Sequence, residues 1–359
     1  MYRAGWQRQR RREASVTWTR SQRGVTMASR KVFYFSHAPE NVYELIREEV
    51  PRGFELVTLD EDSDDERRAK IADCEVVIVA ARPMARGFVE AALKLELLHH
   101  QGVGYQDTVD VEALKERGIA LALTPAGTTI GVAEHAVLLT LAVYKRLPFA
   151  DSELRQGRWH VNTLRPYSFE LFGRTVGYVG MGRIGQEAAL RFKAFGTTGL
   201  YYDPYVQIPS YREEELGVRC VKLEELLTTA DVVSLHVPLT EETYHLIDEG
   251  ALSRMKNTAI LINTARGSLV DEPALCRALD EGKIAGAGLD VFEEEPFRPD
   301  NPLAVMPNVV LTPHISAGTR DALKTKMRSL FRNVQHFFNG EPLENEVDLQ
   351  KRNGTGYTA

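Results

Sequence analysis

Six residues, Gly180-Met181-Gly182-Arg183-Ile184-Gly185, constrain the fold of this 359-residue chain more than any others. They stand between a β-rich run, Thr175-Val176-Gly177-Tyr178-Val179, and a stretch from Gln186 to Phe195 with helical spacing. In a Gly-x-Gly-x-x-Gly turn from strand to helix, the first glycine makes the tight bend. The second lets the backbone approach a pyrophosphate, and the third lets helix and strand pack closely. The free N–H groups and the dipole at the helix start then attract phosphates. Such a turn belongs to an open parallel sheet, so strand and helix patterns should alternate in the chain around it.

They do so in two series. Strands are predicted at 31–35, 54–59, 75–80, 96–100 and 119–123, with helices at 40–49, 66–72, 86–93 and 108–117. The acidic run from Asp60 to Glu66 reads as a solvated helix start, where carboxylates meet the positive end of the dipole. A second set of strands is predicted at 175–179, 199–203, 231–235, 259–263, 284–289 and 309–312, with helices such as 184–195, 222–228 and 272–281 between them. Six strands are the count of a complete dinucleotide-binding sheet. The expected fold class is therefore α/β, with two Rossmann-like, doubly wound parallel sheets. Residues 129–156, between the two series, read as one long helix bent near Pro148. Its first half, Val132 to Leu139, is apolar nearly all round, so it is expected to be buried between domains or against a second subunit, favouring a homodimer. A final helix is predicted at 316–339, closed by Gly340, with Leu323, Met327, Leu330, Phe331, Val334, Phe337 and Phe338 on one face. It follows the second sheet and can cross back onto the first domain.

Composition excludes several functions. The net charge of −6 gives no reason to expect nucleic acid or an anionic membrane as partner. No charge-free apolar stretch is long enough to span a bilayer. Cys74, Cys220 and Cys276 lie far apart without ligand spacing, so they read as reduced thiols in a cytoplasmic protein, with no metal site. The first 26 residues differ from the rest, with seven arginines against one acid, Glu13. They are expected to be a disordered or artefactual extension, ahead of a targeting peptide or a nucleic-acid-binding arm.

Asp203 refines the glycine motif. It ends the run Tyr201-Tyr202-Asp203, eighteen residues beyond Gly185, where an acid meets the adenosine ribose hydroxyls. A carboxylate accepts hydrogen bonds from the hydroxyls but repels a 2′-phosphate. Pro204 and Tyr205 follow it rather than an arginine, so NAD is favoured over NADP as cofactor.

In an open parallel sheet ligands bind at the carboxyl ends of the strands. Strand 259–263 is followed by Thr264-Ala265-Arg266-Gly267, strand 284–289 by Asp290 through Glu295, and strand 309–312 by Pro313-His314. An arginine, carboxylates and a histidine are thus brought to the edge that carries the phosphate loop. Hydride transfer to a carbonyl needs this set. A guanidinium grips a substrate carboxylate and steadies charge on the carbonyl oxygen. An imidazole supplies or removes the proton, and a neighbouring carboxylate fixes its tautomer.

Four segments, Gly177 to Gly185, Asn263-Thr-Ala-Arg-Gly-Ser-Leu-Val-Asp271, Gly288-Leu-Asp-Val-Phe-Glu-Glu-Glu-Pro296 and Leu311-Thr-Pro-His-Ile315, resemble the D-isomer-specific 2-hydroxyacid dehydrogenases. The resemblance covers about residues 30 to 345. It implies Arg266 as substrate anchor, Glu295 as the histidine's partner and His314 as acid/base. It also implies that the backbone at Gly102-Val103-Gly104 faces the substrate carboxylate, and that Asp290 holds the nicotinamide carboxamide. Thr128, Arg183, Ile184, Thr264 and Ala265 match positions lining the NAD site, and His236 and Pro238 match the loop passing its adenosine half. The implied architecture is a discontinuous substrate-binding domain, 27–127 plus 316–348, and an NAD-binding domain, 128–315, with the active site in the cleft and hinges near 125–128 and 315–318. Residues 349–359 are left as a tail, with no added regulatory domain expected. The implied activity is interconversion of a small 2-keto acid and its D-2-hydroxy acid, with glyoxylate, hydroxypyruvate and 3-phosphoglycerate compatible in kind. For a phosphorylated substrate, Arg82 and Arg86 are the candidate cations. Phosphite or formate oxidation, or an NAD-sensing scaffold akin to the family's corepressors, are the alternatives; Glu295 argues against the formate branch.

Overall fold

The computed structural model describes residues 29–80 and 82–350; the basic segment 1–26 and residues 351–359 lie outside the described residues. The first series forms β1 (Arg30–Tyr34), α1 (Glu40–Arg47), β2 (Phe54–Val57), α2 (Asp64–Ile71), β3 (Val76–Val79), α3 (Arg86–Ala91), β4 (Leu97–His100), α4 (Val111–Arg117) and β5 (Ala120–Leu123). Its five strands are all parallel, in the order β2-β1-β3-β4-β5. β3 and β4 are buried at every residue, as expected of strands covered on both faces. The acidic run does start a helix: Ser63 caps α2 and accepts from Glu66 N–H, with Asp64, Asp65 and Glu66 in the first turn.

The second series forms β6 (Thr175–Val179), α7 (Arg183–Ala194), β7 (Thr198–Tyr202), α8 (Ser210–Leu216), β8 (Val218–Cys220), α9 (Leu223–Thr229), β9 (Val232–Leu235), α10 (Glu249–Arg254), β10 (Ile260–Asn263), α11 (Glu272–Asp280), β11 (Gly286–Leu289) and β12 (Val309–Leu311). This sheet is also parallel, ordered β12-β11-β10-β9-β6-β7-β8. It has seven strands rather than the six expected. The extra one, β8, is three residues long at the sheet edge, with Arg219 and Cys220 exposed, so it carries no hydrophobic period to read.

Two helix boundaries also differ. The single bent helix expected at 129–156 is two helices, α5 (Thr129–Tyr144) and α6 (Leu147–Arg155). Arg146 between them adopts a left-handed conformation with φ 51°, and Pro148 lies in the first turn of α6. There its missing N–H costs nothing, whereas inside a continuous helix its ring would clash with the preceding turn. The last helix, α12 (Arg320–Asn339), starts four residues later than expected, where the Thr319 hydroxyl accepts from Ala322 N–H. It ends at Gly340 with φ 71°, as expected.

α12 packs Met327, Leu330, Phe331 and Val334 onto Val32, Tyr34, Ile78 and Leu97 of the first sheet. α5 packs on α7 and on β10, β11 and β12. Its apolar faces are therefore satisfied within this chain, and a second subunit is not needed to explain them; Ile130 and Leu138 remain exposed on its outer side. The two segments joining the halves lie against each other. A Cβ on Gly127, which has φ 76°, would fall 2.6 Å from Ala322 O, and one on Gly131 would fall 2.9 Å from Ser316 O.

Candidate active site

The strand order of the second sheet reverses between β6 and β9, which opens a crevice at their carboxyl ends. Gly180 turns the chain there with φ 101°, and a Cβ on it would lie 2.7 Å from the backbone of His236. A Cβ on Gly185 would lie 2.3 Å from Gly180 O, so the turn and α7 are in backbone contact. Nothing lies within 4 Å of a Cβ built on Gly182, the residue before α7. One glycine is thus needed for curvature, one for packing, and one faces open space at a helix start. Asp203, at the end of β7, ties this turn down: Oδ2 accepts from Met181 N–H at 2.8 Å, and Oδ1 accepts from the N–H groups of Tyr205 and Val206.

The crevice lining fits a polar ligand. Thr128 Oγ1, His236 Nδ1 and Thr264 Oγ1 are buried without a hydrogen-bond partner among the described residues, an uncommon condition that a ligand's polar atoms would relieve. These three residues were expected along the cofactor from sequence. His236 bonds Ser234 Oγ through Nε2 at 2.9 Å, and loss of hydration pushes its imidazole down to about 4, so it stays neutral. Arg183 and Ile184 open α7 and Ala265 follows β10, while Pro238 is exposed in the loop beyond β9.

Around the other strand ends, Asn263 closes β10 and braces its loop, with Oδ1 accepting from Ala265 N–H and Nδ2 donating to Arg266 O. A Cβ on Gly267 would fall 1.9 Å from the Phe292 carbonyl, so only glycine lets the Arg266 loop press on the 292–295 loop. In that second loop Glu295 Oε1 accepts from Phe292 N–H, and Oε2 lies 2.8 Å from His314 Nδ1. Burial is the largest influence on the Glu295 carboxyl and pushes it up. The hydrogen bond and charge of His314, with help from Phe292 N–H and Arg266, outweigh it and hold the group below its ordinary value. Glu295 is therefore an ionised acceptor, Nδ1 carries the proton between them, and His314 Nε2 is left for other chemistry.

His314 has φ 52°, a left-handed conformation that costs a side-chain-bearing residue about 1–3 kcal/mol unless its surroundings enforce it. Asp290 enforces it. This fully buried residue accepts His314 N–H on its carbonyl, and its carboxylate accepts from Ile315 N–H, Ser316 N–H and the Thr312 hydroxyl. Since Thr312 gives its only hydroxyl proton to Asp290, it accepts from His135 Nε2–H at 2.8 Å. The Asp290 carboxylate is thus engaged with the turn that presents His314.

The opposing wall comes from the loop after β4. Arg266 reaches across to it: Nε donates to Asp107 Oδ2 at 2.8 Å and Nη2 to Gly104 O at 3.2 Å, while Nη1 donates to Ala265 O at 2.9 Å. Gly102 O accepts from Thr124 N–H. His100 lies beneath this loop with Nε2 on Thr108 Oγ1 at 3.0 Å. Asp107, Asn263 and His135 were not picked out from sequence. Asn263 opens the Asn-Thr-Ala-Arg segment and sat in view, whereas Asp107 and His135 act on residues more than a hundred positions away. Arg82 and Arg86, the candidate cations for a phosphorylated substrate, are both taken: Arg82 pairs with Asp64 at 3.0 Å, and Arg86 with Glu116 at 2.7 Å.

A Cβ on Gly104 would come 2.0 Å from Arg266 Nη2, the movable end of a long side chain. Gly104→Ala should therefore leave the melting temperature nearly unchanged while displacing Arg266, raising KM for the substrate at least about tenfold, a loss of about 1.4 kcal/mol. A large drop in melting temperature, or unaltered kinetics, would count against this geometry.

A family model described as the D-isomer specific 2-hydroxyacid dehydrogenase NAD binding domain matches residues 137–316. The chain is 41% identical over 326 residues to a glyoxylate reductase of Korarchaeum cryptofilum, covering 89% of this chain and 96% of that one. The chain belongs to the D-isomer-specific 2-hydroxyacid dehydrogenase family. It is an NAD-dependent oxidoreductase. It is also 42% identical to a D-3-phosphoglycerate dehydrogenase of Archaeoglobus fulgidus over 73% of its length, spanning 49% of that relative. In structure it resembles the D-lactate dehydrogenase of Escherichia coli, with a TM-score of 0.77 and 30% identity, covering 89% of this chain and 99% of that one. Among the described residues no helix is long and apolar enough to cross a membrane, and no group of side chains could hold a metal.

Proposed function

We propose that this family member reduces a short 2-keto acid to its D-2-hydroxy acid with NADH, and runs the reverse reaction with NAD. The observation that carries the reading is the His314–Glu295 contact of 2.8 Å on the sheet edge shared with the glycine turn, faced by Arg266. Arg266 has five N–H groups, of which Asp107, Ala265 and Gly104 take three. The two left over, one on each terminal nitrogen, form a fork suited to a carboxylate. The Gly102-Val103-Gly104 backbone completes the anchor. His314 Nε2 holds the proton destined for the substrate oxygen, and Glu295 stabilises the charged ring and its tautomer. Bound NADH supplies the hydride. The glycine turn and Asp203 hold the adenosine half, with Thr128, His236 and Thr264 offering polar contacts along the crevice. Residues 27–127 with 316–348 form the substrate-binding unit and 128–315 the cofactor-binding unit, and closure about 125–128 and 315–318 excludes water.

The match to glyoxylate reductases over nearly their whole length supports a short keto acid. We assign the chain to the cytoplasm on its three free thiols. A homodimer is supported by Leu147, Phe149, Leu154, Trp159 and Phe172, all exposed between α5 and β6, and sedimentation analysis would reveal it. A panel of glyoxylate, hydroxypyruvate and pyruvate assayed with NADH and with NADPH tests the reading. Turnover of at least one acid is expected, with NADH favoured at least about tenfold because Asp203 would repel a 2′-phosphate. Equal use of NADPH would contradict the role of Asp203. NADH binding without turnover of any acid would instead favour the sensing scaffold.

A further inference from the structure

We infer that Asp107 is a specificity-determining residue that selects 2-keto acids with one anionic group against those carrying a second, such as a phosphate ester. The inference rests on the reading of Arg266 as the carboxylate anchor. Asp107 Oδ2 accepts from Arg266 Nε at 2.8 Å across the cleft, yet the Asp107 side chain keeps 38% of its surface exposed. Its second oxygen, Oδ1, has no donor among the described residues. A partly exposed carboxylate is therefore fixed beside the anchor with one oxygen left without a donor.

The charges nearby leave little to offset it. Glu295 adds a second carboxylate on the opposite wall. Arg82 and Arg86 are engaged with Asp64 and with Glu116 and Asp110. Lys326, a cation near the joining segments, is buried, with its ammonium turned to Ala317 O at 3.4 Å. A single substrate carboxylate can use the two free guanidinium hydrogens. A phosphate ester, with about −1.5 to −2 further charge at neutral pH, finds Arg82, Arg86 and Lys326 already engaged and faces Asp107. Repulsion between charges across a partly solvated cleft is expected to change relative affinity by roughly ten- to a hundredfold.

The test uses the full chain saturated with NAD, where a keto acid binds without turning over. Calorimetric titration compares hydroxypyruvate with 3-phosphohydroxypyruvate, which differ only in the phosphate. The wild-type protein should bind hydroxypyruvate at least about tenfold more tightly, Asp107→Asn should reduce that ratio at least about tenfold, and Asp107→Glu should preserve it. A separate titration of each variant with NAD reports that it is folded. A wild-type ratio near one, or Asp107→Asn weakening both ligands equally, would overturn the inference while leaving the keto-acid reading in place. Failure of both ligands to bind the NAD complex would overturn both.

Discussion

Replacing His314 with alanine is expected to lower kcat by roughly 10²–10⁴-fold while NADH affinity stays within a few-fold of wild type. The imidazole contacts the remainder of the protein through Nδ1, which is directed at Glu295, so its loss removes no part of the glycine turn or of the crevice lining. What is lost is the proton at Nε2, and without it the new alkoxide must form unprotonated or take its proton from water. The left-handed conformation at 314 is held by Asp290 through the backbone N–H groups of residues 314, 315 and 316 and the Thr312 hydroxyl, so the turn should survive the substitution. Steady-state kinetics beside a fluorescence titration of NADH separate the two effects. Intact turnover with weakened NADH binding would remove His314 from the acid/base role.

Replacing Arg266 with alanine is expected to lower kcat/KM by roughly 10²–10³-fold, divided between a higher KM and a lower kcat. The guanidinium has two jobs in this account. It grips the substrate carboxylate, which is uniform binding, and it steadies charge growing on the carbonyl oxygen, which is felt only in the transition state. It also links the two walls of the cleft through Asp107 and Gly104, so the variant should close less completely. Arg266→Lys should recover little, because an ammonium presents no planar fork. Unchanged kinetics would place the substrate carboxylate elsewhere.

Much of the fold was legible because parallel sheets announce themselves. Strands such as Val76–Val79 and Ile260–Asn263 are continuous apolar runs, and the residues after them fall at the ligand-binding edge by topology alone. That is why Gly180, Asp203, Arg266, Glu295 and His314 could be singled out before any coordinates. β8 was not legible, since a three-residue edge strand with two exposed positions buries too little to leave a period. The break between α5 and α6 was half legible: Pro148 marked the place, but the left-handed Arg146 that ends one helix before the next begins leaves no sequence mark. The residues that position the site were hidden for another reason. Asp107 meets Arg266 across 159 positions, and His135 meets Thr312 across 177, so only the folded chain brings them together. Apolar patterning likewise pointed to a buried α5 without saying what buries it, and the answer lies within the same chain, in α7 and three strands of the second sheet.

The central claim is that this chain moves a hydride between NADH and the keto carbon of a 2-keto acid. It is tested most directly by incubating the protein with NADH carrying deuterium at both positions of the nicotinamide C4 and with glyoxylate or hydroxypyruvate, then analysing the product by mass spectrometry and chiral chromatography. One deuterium at C2 of the hydroxy acid is predicted, with the D configuration where C2 is a stereocentre by virtue of its other substituents. Bound NADH that keeps its deuterium with every acid offered would contradict the account.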